Sequence, residues 1–477
     1  VSEDRWVHWD EEFQARNFVI DTSVPLDFVF VPTVTTYQLE HVIRLYDAVK
    51  YPVFVFGNQS QGKTGMARHF SNNPTQGWTA GYVNCREMFV SSDSSPFESK
   101  LERRRESVFG PLGGRKIKYL VDDLNMDAVA ENRRLRLFEY MRQLLDSKSY
   151  YAADCEYPVR TVEDVQFVFM VEGTSSTSWS IPRQLVRHGA SVWCPDMSAI
   201  SVKTILLAIL STHREMLDAP IRELFPSICQ GIVEVVDFSW HSFAVGRERA
   251  HYRYHMSDSF SILRSMLTVD ANRIFESDKF VRIWVHESMR VLGDRLLADE
   301  ERDRLSSWFT EHCEILFGSS WSDITADRLV LFADLHGAGY DEYMQAEKAA
   351  SLVRNAMQEH NSKYRSQVHV PVVSLTLNQL GPLTQAAHGT RPHMILLGSL
   401  DSGRSSTVKL SSLLRKSEVF EVMSTINPLD EWHDRLYLSL LRYKAEKKRC
   451  VLQLRSSVVW SSALMEELLL LMDGTNP

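Results

Sequence analysis

Three apolar, β-branched runs that each lead into helical sequence predict an α/β fold. The expected architecture is a parallel sheet covered by helices on both faces, then a helical subdomain, then a second α/β core. The runs are 51–56 (YPVFVF), 116–121 (KIKYLV) and 165–171 (VQFVFMV). A length of 477 residues fits several units, because a single core rarely grows past about 250–300 residues.

The first run enters a Gly-rich loop and then helical sequence from about Thr64, which reads as strand, loop, helix. The second ends in Asp122 and Asp123, and the third in a polar Gly/Ser/Thr loop. From 201 to 317 the strand signals fade and helical patterns such as 280–297 (FVRIWVHESMRVLGDRLL) take over, as in a helical lid. After the polar stretch 318–327 the α/β pattern returns, with strands expected at 393–397 (HMILL) and 450–454 (CVLQL). The expected domains are therefore 1–200, 201–317 and 328–477, with the α/β pattern occurring twice.

Composition narrows the function. Hydrophobic residues at 44% and charged residues at 24% describe a chain that folds. A net charge of −8 argues against nucleic acid as the main partner, since phosphate backbones demand a surplus of Lys and Arg. The longest apolar stretch, 204–210 (TILLAIL), is far short of a membrane span, so no membrane partner is expected. Cys85, Cys155, Cys194, Cys229, Cys313 and Cys450 are scattered without metal-ligand spacing, which fits a reducing compartment. The start at Val1 and the stop at Pro477, just after an apolar helical pattern, suggest a piece of a longer chain.

Gly57, Asn58, Gln59, Ser60, Gln61, Gly62, Lys63 and Thr64 match G-x-x-x-x-G-K-[ST] in the required strand–loop–helix context. The glycines let backbone N–H groups wrap the phosphates of ATP or ADP, Lys63 neutralises them, and the Thr64 hydroxyl ligates Mg²⁺. Asp122, at the end of the second strand, would hold Mg²⁺ through water. Asp123 stands where many such ATPases carry a Glu that orients the attacking water, and its shorter side chain predicts slow hydrolysis.

Several segments resemble, in order, the dynein heavy chains, most closely the third AAA+ module of the axonemal type. They are the VPT segment Val31, Pro32 and Thr33; the run Lys100, Leu101, Glu102, Arg103, Arg104 and Arg105 through Phe109, Gly110 and Pro111; Asp122, Asp123, Leu124, Asn125 and Met126; 137–146 (LFEYMRQLLD); Ile181, Pro182 and Arg183 with Arg187 and His188; and 280–296. The likeness continues from about Leu329 into a fourth module, whose phosphate loop would be Gly398 to Gly403, Arg404 and Ser405. The resemblance implies a P-loop AAA+ core with a helical lid, followed by a second AAA+ core, and it places Val31, Pro32 and Thr33 at the adenine. It further implies a regulatory module of a microtubule motor, located in the cytoplasm and on the cytoskeleton of a ciliary or flagellar axoneme. Implied partners are neighbouring AAA+ modules of the same heavy chain and, through parts outside this chain, dynein intermediate and light chains and microtubules.

The departures weaken catalysis. The loop 172–178 (EGTSSTS) offers at best Ser178 as a sensor of the terminal phosphate, and Ser257 replaces the lid Arg of the family. Arg404 replaces Lys in the second loop, and Arg455 falls where its acidic strand end should be; a cation there cannot hold Mg²⁺. Arg183 sits at the family's arginine-finger position and would serve as an inter-module contact. The basic runs 103–105 and 444–449 read as solvated faces because acidic residues interrupt or flank them. Trp6, Trp9 and Trp284 read as packing residues, and His188, His251 and His286 as structural. Two other functions stay open: a midasin-like remodelling ATPase, and a catalytically dead AAA+ scaffold.

Overall fold

The computed structural model describes residues 6–14, 29–74, 77–85, 97, 100–125, 131–152, 158–173, 181–213, 216–243, 245–246, 249–325, 330–335, 339–343, 345–363, 367–386, 393–398, 402–423, 427–447, 449–455 and 462–472. The chain divides into two compact units, built on Phe28–Ser201 and on Val202–Met465.

In the first unit, helix α1 (Val34–Ala48) starts at Thr33, whose hydroxyl accepts the Thr36 N–H at 3.3 Å while Thr36 returns the bond to the Thr33 N–H at 2.8 Å. This reciprocal cap satisfies two backbone donors that the first turn leaves open. Strand β1 (Val53–Gly57) leads into α2 (Lys63–Asn72), followed by β2 (Trp78–Asn84). A short hairpin, β3 (Leu101–Arg103) and β4 (Val108–Pro111), precedes β5 (Lys116–Asp122) and α3 (Glu131–Ser147). Then come β6 (Ser149–Tyr151), β7 (Val159–Val162), β8 (Val165–Glu172) and β9 (Ala190–Trp193).

Five strands pair in parallel in the order β2-β5-β8-β1-β9. The runs in β1, β5 and β8 show no alternation because both faces of the sheet are covered. One face packs Leu39, Ile43 and Met66 against Val55, Leu120 and Met170; the other packs Phe138 and Met141 against Phe54, Tyr119 and Phe169. Phe54 stacks on Phe169 with centroids 4.6 Å apart. Replacing Phe169 by Ala would leave a cavity costing about 3–5 kcal/mol. A second sheet, β3-β4-β7-β6, is built from strands of three or four residues that the sequence reading leaves undetected.

The second unit opens with helices. Helix α4 (Phe225–Ser242) packs with α5 (Ser257–Met266), α6 (Ser277–Leu292) and α7 (Asp299–Phe317) around the fully buried Trp284. Trp284 meets Phe309 edge to face at 5.3 Å, and Gly231 admits it because a Cβ there would stand 2.7 Å from the indole. The helix expected over 280–297 ends at Leu292, where Gly293 opens a 3-10 turn through Arg295.

The chain then forms the two-residue pair β10 (Phe332–Ala333) and β11 (Asp341–Glu342), helices α8 (Ala346–Lys363), α9 (Ser374–Ala386) and α10 (Arg404–Leu414), strand β12 (Glu418–Val422), helix α11 (Pro428–Glu446) and strand β13 (Cys450–Leu454). A polar seam ties α6 to β11: Arg282 grips Glu342 with two bonds of 2.7 and 3.1 Å, and Lys279 reaches Asp341 at 2.8 Å. Strands β12 and β13 pair in parallel, as β2 and β5 do.

The strand expected at 393–397 does not form; those residues are exposed and outside any sheet. A parallel strand depends on its neighbours, and β1 is held between β8 and β9, whereas among the described residues the second unit has no strand beside 393–397. Trp6 is also no packing residue, being fully exposed, while Trp9 meets Tyr37 at 5.9 Å. Among the described residues, no helix is long and apolar enough to cross a membrane.

Candidate phosphate-binding site

Strand register brings the site together. Gly57 at the end of β1 lies opposite Glu172 at the end of β8, and Asp122 at the end of β5 lies opposite Asn84. The Gly-rich loop and the acidic strand end therefore share the carboxyl edge of the sheet, where open parallel sheets form their binding crevice.

The loop's backbone is set by its residue types. Gly62 adopts φ 80°, a left-handed conformation that caps the start of α2, and Ser60 is also left-handed at φ 64°. The first N–H groups of α2 have no partner within the helix and carry the positive end of its dipole. A Cβ on Gly57 would come within 3.0 Å of both the Cβ and the carbonyl of Cys194, so the start of the loop can be no bulkier than glycine. This is a cradle fit for phosphate.

Lys63 folds back along the loop, donating to the carbonyls of Gly57 at 2.8 Å and Asn58 at 2.5 Å. Burial pulls its pKa below the ordinary lysine value, opposed by Cys194, Asp122, Glu172 and Asp123. An ammonium that feels the charges of three carboxylates at the same strand edge suits a site for both phosphate and a divalent cation. Thr64 is exposed at the first turn of α2.

Asp122 is buried, accepting the Tyr82 hydroxyl at 2.9 Å and the Asp123 N–H at 3.1 Å. Burial and then the Asp122 charge push the Tyr82 pKa well up, so its hydroxyl stays a donor. Asp123 has φ 57° and receives a 3.4 Å bond from the Asn84 amide. Asn125 clamps β8 by donating to the Glu172 carbonyl at 3.0 Å and accepting its N–H at 2.9 Å.

Two features escape the sequence reading. Among the described residues, one oxygen of the Glu172 carboxylate is buried without a hydrogen-bond partner and could hold a metal's water shell. Residues 194–197 also run along the loop: the Cys194 N–H donates to the Phe56 carbonyl at 2.6 Å, the Asn58 amide to Asp196 at 3.0 Å, and the Met197 N–H to the Gln61 side chain at 2.5 Å. Neither carries a local motif.

The VPT segment leads into α1, and the adjoining Phe30 stacks on His69 of α2 at 4.3 Å. Val31, Pro32 and Thr33 thus lie near the loop's helix, with the Thr33 hydroxyl spent on its cap. A small open pocket in this unit is lined by Glu40, Arg44, Phe70, Trp78 and Lys118 among others and by no loop residue. Met126 and Ser178 lie outside the described residues. Arg183 is exposed. His251 and His286 are absorbed structurally, bonding the Arg295 carbonyl and the Phe332 N–H.

The second loop is arranged differently. Gly403 repeats the left-handed cap at φ 77° before α10, but the Ser405 hydroxyl is engaged by Gln453 of β13 at 2.8 Å. Glu421 is pulled below the usual carboxylate range chiefly by its bond to Lys409, with a further contribution from Arg455. Its acid is committed to cations of the protein.

Residues 18–197 match the family described as P-loop containing dynein motor region. The chain is similar over 460 residues, at 23% identity, to dynein axonemal heavy chain 1 of Homo sapiens, covering 92% of this chain and 11% of that protein. The Mus musculus counterpart is 24% identical over 463 residues, covering 92% and 11%. Dynein axonemal heavy chain 6 of Homo sapiens is 24% identical over 408 residues, covering 83% and 10%. The chain thus spans about a tenth of the length of these relatives. An α/β AAA+ core that carries its phosphate loop at the sheet's carboxyl edge accords with these findings: residues 18–197 match a P-loop containing dynein motor region, and the chain as a whole is similar to axonemal dynein heavy chains.

Proposed function

We propose that the Phe28–Ser201 unit is a regulatory nucleotide-binding module of an axonemal-type dynein motor ring, holding ATP or ADP with Mg²⁺ and hydrolysing it slowly. The observation that carries this is Lys63, an ammonium held along the Gly57–Thr64 loop at the carboxyl edge of the sheet, where Asp122 ends strand β5. When bound, Mg²⁺ would neutralise phosphate charge; Thr64 and Asp122 are its nearest candidates, with Val31, Pro32 and Thr33 on the adenine side.

Slow hydrolysis follows from the short side chain of Asp123 and from Ser257, which supplies no cation. The domains read as a core over 1–200, a lid over 201–317 and a degenerate core over 328–477, corresponding to a third and a fourth module. The engaged Ser405 and the Arg455 cation favour a second loop that does not bind nucleotide. The motor would act on microtubules in a ciliary or flagellar axoneme, with the intermediate and light chains held by other parts of the heavy chain.

Calorimetry of the full chain with ADP and Mg²⁺ tests the proposal. One site is expected, and Lys63→Ala should weaken it by about 100-fold, the loss of a charge-assisted contact. Two equivalent sites, or binding untouched by Lys63→Ala, would refute it.

A further inference from the structure

Two side chains of the phosphate loop point their chemistry away from any phosphate. Gln61 is nearly buried, and its amide is used at both ends: the oxygen accepts the Met197 N–H, and the nitrogen donates to the Gln59 carbonyl at 3.3 Å. Asn58 gives its amide to Asp196 at 3.0 Å. The same strap carries Cys194, whose thiol lies 3.9 Å from the Gln61 carbonyl and whose N–H holds β1 at Phe56. Met197 also packs against the loop, since a Cβ on Gly62 would sit 3.6 Å from its methyl group. The loop is thus fastened to Cys194, Asp196 and Met197, which lead into the helix Ala199–Thr212.

Ligand entry acts on this fastening through Lys63. Lys63 holds the Gly57 and Asn58 carbonyls, and an incoming phosphate takes that ammonium over. The carbonyls it leaves belong to the residues beside the Asn58–Asp196 bond. Any resetting of the loop is passed to the strap through Asn58 and Gln61, because these bonds, unlike a packing contact, have a direction and a fixed length.

We propose that Gln61 and Asp196 are positioning residues that couple the phosphate loop to the 194–197 strap, so that occupancy of the loop is read at the Met197 amide. This rests on nucleotide binding at the loop. An ordered loop keeps the Gln61 oxygen on the Met197 N–H, and that amide then exchanges with solvent more slowly.

Hydrogen exchange of the full chain, compared without ADP and at ADP saturation fixed by calorimetry, tests the coupling. ADP should slow exchange at Met197 by roughly fivefold or more, the effect of one hydrogen bond of ordinary net strength. Gln61→Glu keeps the acceptor and should keep the slowing. Gln61→Leu removes the acceptor at similar volume and should abolish it at equal saturation. Should the leucine variant fail to saturate, Asp196→Ala, which cuts the other bond and leaves the loop sequence intact, should reduce the slowing instead. A Met197 amide indifferent to ADP in the saturated, unaltered chain overturns the coupling alone, as does slowing that survives both Gln61→Leu and Asp196→Ala. An unaltered chain that binds no ADP overturns the nucleotide reading and the coupling with it.

Discussion

Tyr340 donates its hydroxyl over 2.7 Å to the fully buried carboxylate of Glu287, joining helix α6 to the β10–β11 pair. Gln385 of α9 donates to the other oxygen at 2.9 Å, and Arg290 stands 3.5 Å away. Burial alone would raise the Glu287 pKa, but Arg290, His286 and Tyr340 outweigh it and hold the group at about 2.

A carboxyl depressed in the folded state contributes stability that is present above its unfolded value and lost as pH falls through the folded one. The Val202–Met465 unit should therefore weaken between about pH 4.5 and about pH 2. Glu287→Gln should flatten that limb. It should also cost about 3 kcal/mol near neutrality, because Arg290 stays buried without its counter-charge. Denaturant melts of the full chain across pH, followed by tryptophan fluorescence, measure both; an unchanged acid limb contradicts the assignment.

Nucleotide binding should take up protons at alkaline pH. Burial lowers the Lys63 pKa in the free protein, and a bound phosphate stabilises the charged ammonium and raises it again. Between the lowered value and the raised one, the free lysine is neutral and the bound one charged. Calorimetric titrations in buffers of different ionisation enthalpy should show uptake on ADP binding, growing as pH rises toward the lowered value; proton release would contradict the expected sign.

Turnover by the purified chain should stay far below about one per second, near the bottom of the usual enzymatic range. Each missing charge-stabilising donor commonly costs about 100-fold or more in rate. Steady-state phosphate release measures it, and brisk turnover would show that Asp123 or Glu172 serves as an effective base.

Restoring the second loop's charges should not restore a site. Arg404→Lys with Arg455→Asp returns the family's residue types, yet Ser405 remains tied to Gln453 and 393–397 remains outside a sheet. Calorimetry of the double variant should still give one ADP site per chain. A second site would show that charge alone had closed the loop.

The legible parts of the fold were those where chemistry is local. Buried parallel strands read as unbroken apolar runs, so β1, β5 and β8 could be placed, and phosphate fixes the spacing from Gly57 to Thr64. Strand β2 (WTAGYVN) carries Gly81 and polar residues and gives no such run. The strands of the small sheet are too short to show a period. The stretch 393–397 failed in the opposite sense: its apolar residues read as a strand, but pairing is decided by distant neighbours that no local pattern encodes. The Asn58–Asp196 bond spans 138 positions, which is why the strap along the loop was invisible in sequence.

The backbone of Asp123 bears on how its side chain was chosen. At φ 57° the residue occupies a region that Asp and Asn enter several-fold more readily than most other residues. A glutamate there would gain reach toward an attacking water but would have to accept a conformation in which a short polar side chain is better tolerated. The aspartate then need not be a worn-down glutamate; it is the acid this turn accommodates. If hydrolysis is slow as proposed, a longer acid at this position could be used only after the main chain following β5 was reshaped.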